Sequence, residues 1–478
     1  MLAFRPMIHD AARYLEQHYT CRKHHVIHTG SNAYLLDFYL YLEEDEKGKE
    51  LLFTLLDLIV ENPDGGKVFY PGHLNPMNMS QNVIDTGTAV DAVARFAHEK
   101  RELFSKDEHE HIRGSLQEVV ETYLAQAAHS KKITNQRLWG LTGVASYARY
   151  AGEGQKYQEL AKESIEQAFR DMTSDGFFRY YPDPGKNLEQ YDDITTFYQS
   201  RHTAFIVYVI AMLQINPLQF QEGIDASTRA LLSMYTGSGA KDMRMECKRW
   251  YWLSEYEVAS HSFDAYVLAY SHLESTEEAL KNVLYTVRTH FNSGKLNAAK
   301  GINNNFQCPI FWTAHMAWLT RIENITSVFD NQTEITPFSY QFSGDEIVTH
   351  TTPDKRILVS KRFSKRNPTT GIYTNGIDAG HVEWGRLPAL PHAYLFSIRE
   401  VVNHAWYAFR GFRFIEGIAR LWHFTLDSLA MLLPLYYVKY GKVESIHVSE
   451  KNIQVTVIPG SKFGSLLKEK EHSLTITL

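Results

Sequence analysis

Through the first two thirds of this 478-residue chain, apolar side chains return every three or four positions, in segments that come two by two. The pairs cover about residues 32–44 and 50–60, 83–98 and 108–128, 135–151 and 157–172, 194–213 and 218–234, and 261–272 and 277–291. A further helical segment follows at about 306–322. The first member of a pair tends to be rich in small and aromatic residues, as in Thr86-Gly87-Thr88-Ala89 and Leu141-Thr142-Gly143-Val144. The second carries more Glu, Lys and Gln, as across 159–166 and 277–281. An all-round apolar or small surface suits a helix with neighbours on every side, whereas a charged stripe needs water. The pattern therefore predicts inner helices with an outer set around them. Asn135 is expected to cap the start of its helix.

Beyond Asn324 the period shortens. Segments at 346–351, 356–363, 371–375, 381–384, 443–448, 452–457 and 473–478 are rich in β-branched and aromatic residues and separated by Pro and Gly, which predicts strands. The stretch 415–433 has a helical composition and is expected as a helix set among them. The expected organisation is a helical unit over 1–325 and a β-rich unit over 326–478. With 44% apolar and 22% charged residues, the chain can bury large cores throughout.

The formal charge of -6 lowers the expectation of broad nucleic-acid or anionic-membrane binding. A local basic cluster, Lys355, Arg356, Lys361, Arg362, Lys365 and Arg366, fits either a polyanion groove or a solvated face beside two strands, the latter being the commoner arrangement. Cys21, Cys247 and Cys308 have neither zinc-module nor disulfide-framework spacing. His9, Asp10, Arg13 and Glu16 interrupt any apolar leader, and the run 426–438 contains Asp427 and Pro434 and is too short for a membrane helix. A cytoplasmic protein without a transmembrane segment is expected. HExxH, P-loop and GxGxxG patterns are absent, and no metal or other cofactor is called for by the visible residues.

The densest local chemistry is Asp192-Asp193-Ile-Thr-Thr-Phe-Tyr198-Gln-Ser-Arg201-His202. On a helix, Tyr198, Arg201 and His202 share a face. Such a face suits β-elimination in a uronate polymer: Arg201 binds the sugar carboxylate, His202 accepts the C5 proton, and Tyr198 donates to the departing oxygen or itself acts as base. Buried hydrogen bonds and an Arg salt bridge would explain the same residues structurally. His261 and Asp264, three apart, could form an oriented pair, catalytic or structural. Asn303, Asn304 and Asn305 precede the last inner helix, where an Asn can cap the helix or hold a carboxylate. Trp250, Trp252 and Trp312 are candidate sugar platforms or core residues.

The alternating inner and outer helices followed by strands resemble (α/α)-toroid proteins, and Gly301-Ile-Asn303-Asn304-Asn305-Phe306 resembles the Asn-Asn-His segment of alginate-lyase and heparinase II/III-type polysaccharide lyases. The resemblance implies a toroid of five to six helical hairpins with an antiparallel β-rich domain, an acidic polysaccharide as partner, and an Asn that neutralises the uronate carboxylate. Phe306 stands where those families have His, so His202 or His261 would supply that group. Two other readings remain open from the residues alone. A glycoside hydrolase would use two of Asp193, Glu255, Glu257 and Asp264. A non-catalytic carbohydrate-binding or assembly protein would keep the aromatic platforms without a proton-transfer pair. A bundle or linear helical array is the alternative architecture.

Overall fold

Among the described residues, six helices are buried on nearly every side: α2 (Thr29–Leu42), α4 (Met79–Glu99), α7 (Thr134–Ala151), α9 (Gln199–Met212), α11 (His261–Ala269) and α13 (Pro309–His315). A 3-10 turn at Met316–Arg321 continues α13. The computed structural model describes residues 2–18, 20–21, 26–27, 29–62, 64–70, 79–131, 133–180, 194–242, 260–297, 309–361, 371–376, 383–385, 441–449, 452–459 and 472–477. The remaining helices are α1 (Phe4–Gln17), α3 (Asp45–Leu56), α5 (Lys106–Val119), α6 (Ala125–Ser130), α8 (Gly154–Arg170), α10 (Gln221–Leu232), α12 (Thr276–His290) and α14 (Ile325–Asn331). Most of these bury a single face, as α8 does with Tyr157, Ala161, Ser164, Ile165 and Ala168. None of the described helices is long and apolar enough to cross a membrane.

The inner helices contact one another in sequence order. α2 packs on α4, α4 on α7, α7 on α9, α9 on α11, and α11 on the Met316–Arg321 turn, while that turn and α13 pack back on α2. They run parallel. Gly87 of α4 meets Trp139 and Gly140 of α7, and further toward the C-terminal end of both helices Asp91 meets Ser146. The α4–α7 contact depends on missing side chains: a Cβ on Gly87 would stand 2.5 Å from the Trp139 carbonyl oxygen, and one on Gly143 2.7 Å from that of Gly87.

Parallel inner helices place all their starts at one end. The connections leading out of them are short, such as 43–44 and 152–153, whereas those leading in include 57–78, 171–198, 233–260 and 291–308. Long connections on a rigid frame are where binding residues concentrate. The helices expected from the sequence lie within a few residues of the observed ones, with four physical differences, the first being α14, a helix in the stretch expected to turn to strands, whose Ile325 and Phe329 join the helical core. α7 begins at Thr134 with Ile133 at the cap position, so Asn135 lies inside the first turn and does not cap it. The helix over 106–130 is interrupted by a wider π turn at Val120–Leu124. α1 was not expected at all: its charged residues are the wet face of a helix that buries Phe4, Met7, Ile8, Ala11, Ala12 and Leu15.

The C-terminal region contains antiparallel sheets. β7 (Tyr340–Ser343), β8 (Ile347–Thr351), β9 (Lys355–Ser360), β10 (Gly371–Gly376) and β11 (Glu383–Gly385) form a five-stranded meander, and β12 (Gly441–Val448), β13 (Asn452–Pro459) and β14 (His472–Thr477) a three-stranded one. Short hairpins at β1–β2 (Thr20–Cys21, Val26–Ile27), β3–β4 (Ile59–Glu61, Lys67–Phe69) and β5–β6 (Phe291–Asn292, Lys295–Leu296) lie on the helical connections. The central strands β8 and β9 are apolar on both faces because both are covered. Ile347 and Leu358 join the core of the helical unit, whereas Val348, Ile357 and Val359 pack with Ile453 and Val455 of β13. The helix expected over 415–433 lies outside the described residues.

Two polar grips tie the five-stranded sheet to the helices. The Asp175 carboxylate accepts from the backbone N–H groups of Asp345, Glu346 and Ile347 at 2.6, 2.9 and 2.9 Å. Arg356 of β9 is buried and donates to Asp242 (3.0 Å), the Tyr235 and Ser233 carbonyls (2.9 and 2.8 Å) and the Thr351 hydroxyl (2.7 Å). This corrects the basic-cluster reading for Arg356, whose charge is spent inside the protein. Arg362, Lys365 and Arg366 lie outside the described residues.

Candidate functional site

Side chains spaced three or four apart on the inner helices form successive levels. At the C-terminal level the polar groups saturate one another. Arg321 donates to Asp37 Oδ2 (2.6 Å) and Asp91 Oδ2 (2.8 Å), and Arg95 to Asp37 Oδ1 (2.6 Å). Ser146 and Tyr208 donate to Asp91 Oδ1 at 2.6 and 2.7 Å. The Arg321 guanidinium also lies over Trp318, 4.4 Å from its centroid. Opposing carboxylates hold it charged despite complete burial, and of its three nitrogens only Nη1 lacks a partner. One turn up, Trp318 contacts Phe205, Phe263 and Tyr266 at 5.4, 4.9 and 5.2 Å, and Trp139 contacts Phe205 at 5.2 Å. The Trp318 indole N–H donates to the Tyr34 hydroxyl at 3.2 Å. Aromatic packing thus fills the centre of the inner helices.

The level above differs in kind. Near its start, each inner helix buries at least one polar side-chain atom that makes no hydrogen bond among the described residues: Ser31 Oγ on α2, Asn82 Oδ1 and Asp85 Oδ2 on α4, Asn135 Oδ1 on α7, His202 Nδ1 on α9, His261 Nε2 and Ser262 Oγ on α11, and Trp312 Nε1 on α13, with His315 Nε2 following at the end of α13. Buried polar groups are nearly always paired. Similar atoms occur elsewhere among the described residues, as at His98 Nδ1, Tyr147 Oη and Arg321 Nη1, but on this level the nine named come from every inner helix.

Within it, the three-residue spacing of His261 and Asp264 brings Nδ1 to 2.9 Å from Oδ2. Lys241, also fully buried, donates to Asp264 Oδ1 at 2.9 Å and to the Ser260 hydroxyl at 3.1 Å. Burial opposes ionisation of Asp264, yet the Lys241 ammonium and the His261 ring hold its carboxyl well below the usual carboxylate range. Burial pushes the His261 imidazole down, helped by Lys241 and opposed by Asp264 and the Gly239 carbonyl. A neutral ring that donates through Nδ1 has its lone pair on Nε2.

On the neighbouring α9, Arg201 is buried among rings. Its guanidinium lies 3.9 Å from the Phe197 centroid, 5.0 Å from Phe263, 5.3 Å from Tyr198 and 5.7 Å from Trp312, and Nη2 is 3.5 Å from His315 Nδ1. His202 packs on Phe178 at 4.6 Å; burial, with Arg137 and Arg201 nearby, lowers it to about 3. His315 is lowered by burial and by Arg201. All three imidazoles are therefore neutral near pH 7.

The structure brings Tyr198, Arg201 and His202 together as their spacing implied: Tyr198 is half-buried immediately before α9, stacked on Tyr180 at 5.7 Å and 6.3 Å from the His202 ring. Trp312 is an edge-on neighbour of Phe197 (5.6 Å) and His315 (5.6 Å). Asp193, Trp250, Trp252, Glu255, Glu257, Asn303, Asn304 and Asn305 lie outside the described residues. Sequence reasoning missed Asp85 and His315, neither of which belongs to a motif. Their surroundings come from distant segments: Gly30 beside Asp85, and Tyr34, Trp139 and Phe263 around His315. Among the described residues no three His, Cys, Asp or Glu side chains are grouped as a metal site. No family model matches the chain, and no curated protein matches it.

Proposed function

We propose that this chain is an (α/α)-toroid polysaccharide lyase that cleaves a uronate-containing polysaccharide by β-elimination. The observation that carries the reading is the group of buried polar atoms without a hydrogen bond among the described residues at the starts of the inner helices, opposite an ionic level whose carboxylates are all paired. A chain of sugars, with hydroxyls on every ring, is the ligand class that satisfies many separate donors and acceptors at once. The order of inner-helix contacts, which returns from the last helix to the first, supports the toroid. The ionic level closes one end, so the polymer enters among the connections that precede the inner helices.

The chemistry follows from the charges. Abstracting the C5 hydrogen of a uronate builds negative charge onto its carboxylate, and Arg201, flanked by aromatic rings, is placed to neutralise that charge. His261 is the base: Asp264 fixes its tautomer, Lys241 fixes Asp264, and Nε2 makes no hydrogen bond of good geometry among the described residues. His202 and Tyr198 flank Arg201 and shape the subsite. Asp264 is engaged on both oxygens and is not available as the acid of a hydrolase.

The test is a panel of uronate polysaccharides followed by ultraviolet absorbance and product mass. Elimination creates a C4–C5 double bond and adds no water. Water-added products without that absorbance would replace the lyase with a hydrolase, and binding without cleavage would make the protein a carbohydrate-binding module. His261→Gln should lower kcat by about a hundredfold or more while leaving substrate affinity within about threefold.

A further inference from the structure

The elimination also needs a proton for the oxygen that leaves C4, and the inner helices offer a group for it away from the α9–α11 side. Asp85 is 2% exposed and sits near the start of α4. In the order of contacts α2, α4, α7, α9, α11, α13, two helices separate α4 from α11 in either direction, so Asp85 and His261 come from non-adjacent helices. One carboxyl oxygen is covered by α2, where the Gly30 N–H donates to the group and where a Cβ at position 30 would come within 2.7 Å of Oδ1. The other, Oδ2, makes no hydrogen bond among the described residues. The charged side chains on the neighbouring helices are committed elsewhere, Asp37 to Arg95 and Arg321, and Arg137 to Asp171 at 2.8 Å.

Resting on the lyase reading, we infer that Asp85 is the proton donor of the elimination, delivering its hydrogen from Oδ2 to the departing C4 oxygen while His261 removes the C5 hydrogen from the other side. His261 Nε2 takes the C5 hydrogen as a proton, and the C5–H electron pair becomes the second C4–C5 bond. The C4–O pair leaves with the oxygen, which takes the Asp85 proton. The products are an unsaturated uronate and an alcohol, with Asp85 left as carboxylate and His261 as imidazolium. Transfer of one proton between these two through solvent restores both, so no external reactant is consumed. Burial, with no opposing cation, pushes the Asp85 carboxyl up to about 7, against a smaller lowering by the Gly30 N–H. The group therefore still carries a proton where His261 is already neutral, the combination a concerted acid and base require.

The experiment compares a uronate oligosaccharide with an analogue bearing a 4-nitrophenoxy group at C4, whose departure needs no protonation. In Asp85→Asn, kcat on the oligosaccharide should fall by about a hundredfold or more and on the analogue by less than about threefold, with Asp85→Glu recovering part of the loss. The unaltered protein gives an independent reading: its kcat on the oligosaccharide should decline above about pH 7, and its kcat on the analogue should not. Asp85→Asn matching wild type on the oligosaccharide, equal losses on both substrates, or identical wild-type pH profiles would overturn the assignment while leaving the lyase intact. Wild type forming no unsaturated product from either substrate would overturn the lyase and the assignment together.

Discussion

Both ends of the inner helices bury polar side chains, and they differ in how those side chains are satisfied. At the C-terminal level Asp37, Asp91, Arg95, Ser146, Tyr208 and Arg321 hydrogen-bond to one another across five elements. At the N-terminal level Ser31, Asn82, Asp85, Asn135, His202, His261, Ser262 and His315 are as deeply buried, and each keeps an atom without a hydrogen bond among the described residues. The first arrangement is what polar groups do when they serve the fold. The second lowers stability, and on the proposed reading it does so because the missing partners belong to a substrate.

That contrast can be broken from either side. The largest effect is expected at the saturated end, where Arg321→Leu leaves Asp37 and Asp91 buried without their shared cation and should cost about 3–5 kcal/mol in denaturant unfolding. A cost below about 1 kcal/mol would show that the ionic level does not hold the inner helices together. Next comes acid. His202 is buried neutral with its pKa lowered to about 3, so between the unfolded value near 6.5 and that value the unfolded chain binds the extra proton and stability falls as pH drops. From pH 7 to pH 4.5 the loss from this group should be about 2–3 kcal/mol, read as the difference between wild type and His202→Asn. Using that difference matters because Asp85 works in the opposite sense, its raised carboxyl favouring the fold below about 7. Equal pH slopes in the two proteins would mean that His202 is solvated. The smallest effect sharpens the comparison most. Ser262→Ala removes a buried hydroxyl that has no hydrogen bond among the described residues, and it should leave stability unchanged or raise it by about 0.5–1 kcal/mol while weakening oligosaccharide binding. A loss of stability above about 1 kcal/mol would place Ser262 with the satisfied groups.

Helix positions were legible because burial on every side leaves a mark in composition. Thr86-Gly87-Thr88-Ala89 and Leu141-Thr142-Gly143-Val144 read as inner segments, and Gly87 and Gly143 meet at the α4–α7 contact. The amphipathic α1 is hard to read locally, since charges that interrupt an apolar leader are the same charges that mark the wet face of a packed helix. Within the site, local spacing was informative where the partners are local, as for His261 with Asp264 and for Tyr198 with Arg201. It was silent where the partners are remote. Arg321 finds Asp37 across 284 residues, and Asp85 owes its burial to Gly30 on another helix. No window of sequence holds both halves of such a pair.

The grips of Asp175 and Arg356 bear on how the protein can be divided. Asp175 lies in the connection that leads to Tyr198 and Arg201, and it fastens the backbone at 345–347; Arg356 reaches from β9 to Asp242, just past α10, before the connection that leads to His261. Ending the chain after α14 would strip Asp242 of its buried cation and Asp175 of three donors, on the very segments that aim the groups of the site. The sheet is thus a splint for the segments that precede α9 and α11 rather than a detachable module, and recombining the helical part with a foreign C-terminal domain would require carrying β8 and β9 along with it.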